Sequence, residues 1–358
     1  MRRPWLAPLT SLYRLALALR ELRLRFGLEQ VRRLRYPVVS VGNLSTGGSG
    51  KTPLTIALAQ ALAARGLRVD ILSRGYGRKS KLASRVDPNG AAEDFGDEPL
   101  LIARETGLPV YVASQRYDAG LLAEAEARTN APCPILSRPM RKGGKPQTTS
   151  ADDENRTPIV HLLDDGFQHC QLARDADILL LNHNDLTDRL LPAGNLREPV
   201  RVLQRATVLA IPTVEPEVEQ YLREIIDRHS ETSRWIGPIW RLRRTMEIPA
   251  VSGPVAAFCG IARPEQFFTG LEAIGLRLAF RSAFPDHHRY TLRDLDRLIA
   301  AARAAGATAL ITTEKDLVRL GKLVSAFPAS MPLTTARLRI EIEDQAAAID
   351  WLIGRLAS

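Results

Sequence analysis

The stretch Val41-Gly-Asn-Leu-Ser45-Thr-Gly-Gly-Ser-Gly-Lys-Thr52-Pro53 decides the fold. It follows Tyr36–Val41, a short apolar, β-branched run that reads as a buried strand, and opens a helical pattern over Pro53–Ala64 stopped by Gly66. The spacing is that of a phosphate-binding loop, G-x-x-x-x-G-K-[ST], with Ser45 in place of the first glycine. Gly47, Gly48 and Gly50, with Thr46 and Ser49 between them, let backbone N–H groups converge on phosphate, and the helix N-terminus adds positive potential. Lys51 reaches the outer phosphates of a nucleotide, and the Thr52 hydroxyl suits Mg²⁺. Pro53 falls in the first helical turn, where its missing donor does no harm.

Working outward, Leu67–Leu72, Val110–Ala113, Ile159–Leu163, Ile178–Leu181 and Thr207–Ile211 are further strand candidates separated by helical patterns. Strands alternating with helices predict an α/β fold with a doubly wound, mostly parallel sheet. We expect the nucleotide-binding domain over residues 36–234, a connecting segment over 235–250, and a smaller C-terminal α/β domain over 251–358. Residues 138–157 hold almost no apolar side chains, and predict a mobile surface insertion in the first domain.

The chain has 358 residues and a formal charge of +9. Residues 1–35 hold nine arginines and two acids, a net +7, which leaves +2 for the remainder. The body is therefore near neutral and offers no broad face for nucleic acid. Within 1–35, Trp5, Leu9, Leu12, Ala16, Leu19, Leu22 and Phe26 recur at helical steps, with Arg14, Arg25 and Arg32 opposite and Arg23 interrupting. That pattern predicts a basic amphipathic helix suited to an anionic bilayer surface, or a helix packed on the domain with its arginines exposed. The apolar run is too short to span a bilayer, and no signal-peptide cleavage pattern is present. Cys133, Cys170 and Cys259 are odd in number and widely spaced, which suits a reducing compartment without structural zinc.

Ile159-Val-His-Leu-Leu-Asp164-Asp165 is an apolar strand ending in acids, where the carboxyl edge of such a sheet holds Mg²⁺; the acids could equally cap the following turn. Asp97-Glu98-Pro99 precedes a helical run, so Asp97 is either an N-cap or a base. Asp286-His287-His288 could tune a proton acceptor. Arg197 beside Glu198, in a Gly/Pro-bounded loop, suits a phosphate or sugar clamp or a plain surface turn.

Together with Ser73-Arg-Gly-Tyr-Gly-Arg78, Gly96-Asp-Glu-Pro99, Leu163-Asp-Asp-Gly-Phe-Gln-His169, Pro192-Ala-Gly-Asn-Leu-Arg-Glu-Pro199, Phe284-Pro-Asp-His-His288 and Thr313-Glu-Lys-Asp316, the loop motif resembles the tetraacyldisaccharide 4′-kinase (lipid A 4′-kinase) family. The resemblance implies transfer of the ATP γ-phosphoryl group to the 4′-hydroxyl of a tetraacylated glucosamine disaccharide 1-phosphate, giving lipid IVA. It implies an active site between two domains; we expect the protein to be a monomer, peripheral to the cytoplasmic face of the inner membrane. By the same resemblance Asp97 is the catalytic base, assisted by His287, with Lys51 at the phosphates. Thr52, Glu98, Asp164 and Asp165 attend Mg²⁺, while Arg74, Gln168, His169, Asn195, Arg197 and Glu198 line the substrate side. A regulatory GTPase is disfavoured, since Thr-Glu-Lys-Asp316 only superficially resembles a guanine-reading NKxD pattern. A nucleic-acid-dependent ATPase fails on charge placement.

Overall fold

The computed structural model describes residues 3–48, 50–130, 157–213, 219–220, 223–224 and 237–357. The polar stretch read at 138–157 lies, but for Thr157, outside the described residues. Twelve strands form one sheet: β1 (Val38–Asn43), β2 (Arg68–Ser73), β3 (Ser84–Arg85), β4 (Val110–Val112), β5 (Ile159–Asp164), β6 (Ala176–Leu180), β7 (Val208–Pro212), β8 (Ile239–Glu247), β9 (Val255–Cys259), β10 (Leu278–Ala283), β11 (Ala309–Thr313) and β12 (Leu333–Ile342), in the order β10-β9-β11-β12-β8-β7-β6-β1-β5-β2-β4-β3. Pairing is parallel except at β12–β8 and β3–β4. The strands read from the sequence all appear, shifted by one or two residues. β1 and β5, at the centre, are buried at every position, as continuous apolar runs between helical layers must be.

The segment expected to connect two domains contains β8, which pairs with β7 on one side and β12 on the other. Its alternation, with Trp240 and Leu242 buried and Arg241 and Arg243 exposed, is a strand pattern that the arginine content concealed. The sheet therefore runs unbroken from the nucleotide-binding half into the C-terminal half. The terminal helix α10 (Gln345–Ala357) returns across that boundary, and Ile349, Leu352 and Leu356 share a core cluster with Val39, Leu58 and Ile178. Four further helices matter for the site: α1 (Ala7–Arg25), α2 (Lys51–Ala64), α4 (Asp97–Thr106) and α9 (Glu314–Leu320). Between them in the chain lie α3 (Ala92–Phe95), α5 (Arg116–Asn130), α6 (His183–Thr187), α7 (Pro264–Ala273) and α8 (Leu292–Ala304).

Helix α1 inverts the ordinary arrangement of an amphipathic surface helix. Its apolar stripe faces outward: Trp5 is 76% exposed, Leu12 66% and Phe26 72%, with Leu9, Leu19 and Leu22 also exposed. Attachment runs instead through Tyr13 and Leu17, which pack on the cluster around Phe167 and Leu196, and through Arg20. Among the described residues no helix is long and apolar enough to cross a membrane.

Candidate active site

The loop after β1 enters α2 through Gly50, at φ 96°, with Gly47 at φ 89°; both values need glycine. Ser45 needs no such freedom. It is buried and bridges Leu196, while the Thr46 N–H donates to the Asn195 carbonyl at 2.8 Å and the Arg197 N–H to the Leu44 carbonyl at 2.7 Å. The 192–199 loop thus braces the phosphate loop along its flank. Asn43 accepts from Lys51 Nζ at 2.9 Å and donates to the Ser45 carbonyl at 2.7 Å, so the last residue of β1 holds both loop and lysine.

Asp164 ends β5 beside this loop, and Asp165 follows it in the turn. Asp164 is buried, 2% exposed, and accepts from the Thr55 hydroxyl at 3.2 Å. Burial, then the nearby charges of Glu98 and Asp165, push its carboxyl up to about 7. For Asp165, burial acts in the same direction, but the Lys51 ammonium and the Arg197 guanidinium outweigh it and hold the group at about 2. Arg197 Nη1 lies 3.0 Å from Asp165 Oδ2, and Arg116, itself buried, donates to the Asp165 carbonyl at 3.2 Å. Arg197, Asp165, Lys51 and the loop therefore form one contiguous group.

Asp97 opens α4. Gly96, at φ 92°, is the cap residue, and the Asp97 side chain makes no capping bond beyond accepting from the adjacent Glu98 N–H at 3.0 Å. Its other oxygen faces the C-terminal half: His287 Nδ1 lies at 3.1 Å and Arg319 Nε at 2.7 Å. Both Asp97 and Arg319 side chains are only 6% exposed. Although burial would raise the Asp97 carboxyl, the His287 hydrogen bond and the charges of Arg319 and Lys315 hold it far below the carboxylate range. The same hydrogen bond raises His287. Arg319 is fixed in turn by Asp316 at 3.0 Å and by the Gly260 carbonyl, and Lys315 pairs with Glu98. Two residues of α4 thus meet two residues of α9 across the boundary between the halves.

Not every expected residue joins these groups. Glu198 is buried and directs its carboxylate to Arg205 and Arg20, toward α1, because the loop must neutralise those guanidiniums. Gln168 donates to the Asn43 carbonyl at 2.6 Å, and Asn195 to Asp188 at 2.8 Å; both are scaffolding for the phosphate loop in this arrangement. Arg74 is exposed at the end of β2. His169 is pushed down to about 4 by burial and then by Arg116, Arg174, Arg20 and Arg74, and is neutral at pH 7.

The fold and this constellation have counterparts. A family model described as tetraacyldisaccharide-1-P 4′-kinase matches residues 2–357. The chain belongs to that family. Among its relatives is the tetraacyldisaccharide 4′-kinase of Koribacter versatilis, 37% identical over 357 residues, with 97% of each chain covered. The tetraacyldisaccharide 4′-kinase of Geobacter metallireducens is 36% identical over 332 residues, covering 89% of each. A crystal structure of LpxK from Aquifex aeolicus in complex with ATP superposes with a TM-score of 0.67 at 31% identity, covering 99% of this chain and 98% of that one. The family is thus one of kinases with the α/β architecture described above.

Within this member of the 4′-kinase family, Arg319 and Arg116 join the site from outside every motif read in the sequence, while Lys315 and Asn43 stood inside quoted motifs without being given a role. Lys315 and Arg319 stand four residues apart on one face of α9, a spacing legible once Thr313-Glu-Lys-Asp316 is recognised as a helix start. Asn43 stood in the loop motif, but nothing local showed that it would hold Lys51.

Proposed function

We propose that this protein phosphorylates the 4′-hydroxyl of a tetraacylated glucosamine disaccharide 1-phosphate with the γ-phosphoryl group of ATP, giving lipid IVA, at the cytoplasmic face of the inner membrane. The observation that carries the reading is the position of Asp97: a buried carboxylate, 6% exposed, beside Glu98, whose charge reaches Asp164 next to the phosphate loop, with His287 from the other half at 3.1 Å. The acceptor hydroxyl attacks the γ-phosphorus, the bond to the bridging oxygen breaks, ADP leaves, and the hydroxyl proton passes to Asp97. A carboxylate held this acidic is a weak base. In a loose phosphoryl-transfer transition state the hydroxyl loses its proton late, so orientation matters more than basicity. Lys51 and the loop amides hold the phosphates, while Arg197 keeps Asp165 ionised beside them.

The residues present fit Mg²⁺. Among the described residues no three His, Cys, Asp or Glu side chains converge into a closed metal cage. Mg²⁺ in phosphoryl-transfer enzymes needs none, since phosphates and water complete its shell around one or two carboxylates. Thr52, Glu98, Asp164 and Asp165 offer hard oxygens, and the crowding that raises Asp164 is what a divalent cation relieves. Bound there, Mg²⁺ would supply charge neutralisation for the phosphates.

The outward stripe of α1 supports a membrane-facing role. Burying a large apolar side chain contributes roughly 1.5–3 kcal/mol, against about 1 kcal/mol per arginine at an anionic surface, so the stripe outweighs the charges. The direct test supplies purified protein with γ-labelled ATP and the disaccharide monophosphate in detergent. Label transferred to lipid is expected; label released only as inorganic phosphate would refute the transferase reading.

A further inference from the structure

Thr10, Tyr13, Leu17, Arg20 and Leu24 are the buried and half-buried positions of α1, and they recur at three- and four-residue steps on a face separate from the exposed stripe. Two of them end on the backbone of residues whose own side chains serve the site. The Tyr13 hydroxyl donates to the Arg197 carbonyl at 2.8 Å, and the Arg197 guanidinium lies 3.0 Å from Asp165. The Arg20 guanidinium donates to the Gln168 carbonyl, and the Gln168 side chain donates to the Asn43 carbonyl at 2.6 Å. Asn43 in turn accepts from Lys51 at 2.9 Å. Arg20 also lies 3.5 Å from Glu198, the residue after Arg197, which Arg205 engages as well. Burial, then the Glu198 charge, raise the Tyr13 hydroxyl, so it stays protonated and donates at neutral pH. Anchoring a helix needs apolar contact, which Leu17 supplies. Hydrogen bonds ending on these two carbonyls do something more specific. Each fixes the backbone from which Arg197 or Gln168 extends, and a functional side chain is placed no better than the shell that supports it.

We propose that Tyr13 and Arg20 are positioning residues for phosphoryl transfer: from α1 they fix the backbone at Arg197 and Gln168, so that Arg197 meets Asp165 and Gln168 braces the end of β1 beside Lys51. The inference rests on the kinase reading. The bonds from Tyr13 and Arg20 end at Arg197, Gln168, Cys170 and Glu198, short of the loop amides that hold phosphate. Losing them therefore spares nucleotide affinity and disturbs alignment, and a small misplacement of aligned groups slows the chemistry far more than it weakens binding.

The test is steady-state kinetics of the full chain with γ-labelled ATP and the disaccharide monophosphate in detergent, for the wild type, Tyr13→Phe, Arg20→Gln and Glu21→Gln, with calorimetric titration of MgATP and thermal unfolding of each. Glu21 is the control, since it ties α1 to Arg201 at 3.5 Å in an exposed pair that reaches neither carbonyl. Tyr13→Phe keeps the ring and should lower kcat about two- to ten-fold, as loss of one hydrogen bond implies. Arg20→Gln should lower it about ten-fold or more, because a charged donor is lost. ATP affinity and binding stoichiometry should match wild type in both, and Glu21→Gln should match wild type throughout. Wild-type kcat at saturating lipid in Tyr13→Phe and Arg20→Gln overturns the inference, while labelled lipid from the wild type leaves the kinase reading standing. A kcat loss matched by an equal loss of ATP-binding stoichiometry, or shared by Glu21→Gln, reduces both residues to anchors of the helix and overturns it too. No labelled lipid from the wild type refutes the kinase reading, and this inference with it.

Discussion

Replacing Asp97 with asparagine tests the contact between the two halves as well as the chemistry. The substitution keeps shape and removes one charge from a buried group that faces Arg319 Nε at 2.7 Å and His287 Nδ1 at 3.1 Å. Removing one partner of a buried ion pair costs about 3–5 kcal/mol. Arg319 keeps Asp316 at 3.0 Å, and His287 is 38% exposed and therefore screened, so the low end, about 3 kcal/mol, is expected. The pH dependence has a definite shape. Asp97 is depressed from 3.8, so its contribution is complete above that value and is lost as pH falls through the folded value. His287 is raised from 6.5, so its contribution is complete below that value and is lost as pH rises through the folded one. The stability difference between wild type and Asp97→Asn should therefore be largest between about pH 4 and 6.5 and shrink on either side. Urea unfolding at pH 3, 5.5 and 8.5 measures it, alongside kcat at pH 7.5, which should fall by orders of magnitude. A variant whose urea midpoint matches wild type at pH 5.5 would refute the claim that this pair joins the halves. One that is destabilised yet turns over normally would remove Asp97 from the chemistry.

Lys51→Ala should retain the fold and lose transfer by about 2.7–4 kcal/mol in kcat/KM, the cost of removing one preorganised donor to developing charge; near-normal turnover would be decisive against it. Asp164 is raised to about 7 by burial and by Glu98 and Asp165, so between pH 3.8 and 7 the folded state holds a proton that the unfolded state has released, and stability declines as pH rises through that window. Asp164→Asn should abolish this decline, which differential scanning calorimetry from pH 4 to 8 would detect, and should also impair Mg²⁺-dependent activity. Gly96→Ala should cost about 1–3 kcal/mol, because its φ of 92° disfavours a side chain and the new Cβ would meet Gly75 backbone atoms at 3.0 Å. The same change displaces Asp97, so kcat should fall together with Tm. Replacing Trp5, Leu9 and Leu12 with serine should leave thermal stability nearly unchanged, since these side chains are exposed, and should weaken sedimentation with anionic vesicles; unaltered sedimentation would count against a membrane role for α1.

The sequence by itself determined the local chemistry. A buried strand, a glycine-rich turn and Lys51-Thr52 at a helix start make a phosphate loop wherever they occur, because backbone geometry and the helix dipole act over a few residues. The parallel strands were legible for the same reason: burial on both faces demands unbroken apolar runs. Asp164 could be assigned to the carboxyl edge of its strand without any partner in view. What the sequence left open were relations between distant segments. Whether Asp97 capped a helix or faced a cleft depended on His287 and Arg319, 190 and 222 residues away, and only packing of α9 against α4 brought them together. Whether the stripe of α1 faced inward or outward depended on what the other face could grip, and Tyr13 and Arg20 found partners at Arg197, Gln168 and Glu198. Strand β8 was hidden because its exposed arginines dilute its hydropathy, while its membership in the sheet is established by hydrogen bonds to β7 and β12. Periodicity is a property of neighbours along the chain. Ion pairing across a cleft and the continuity of a sheet are properties of the folded chain, and those decided how the site is assembled.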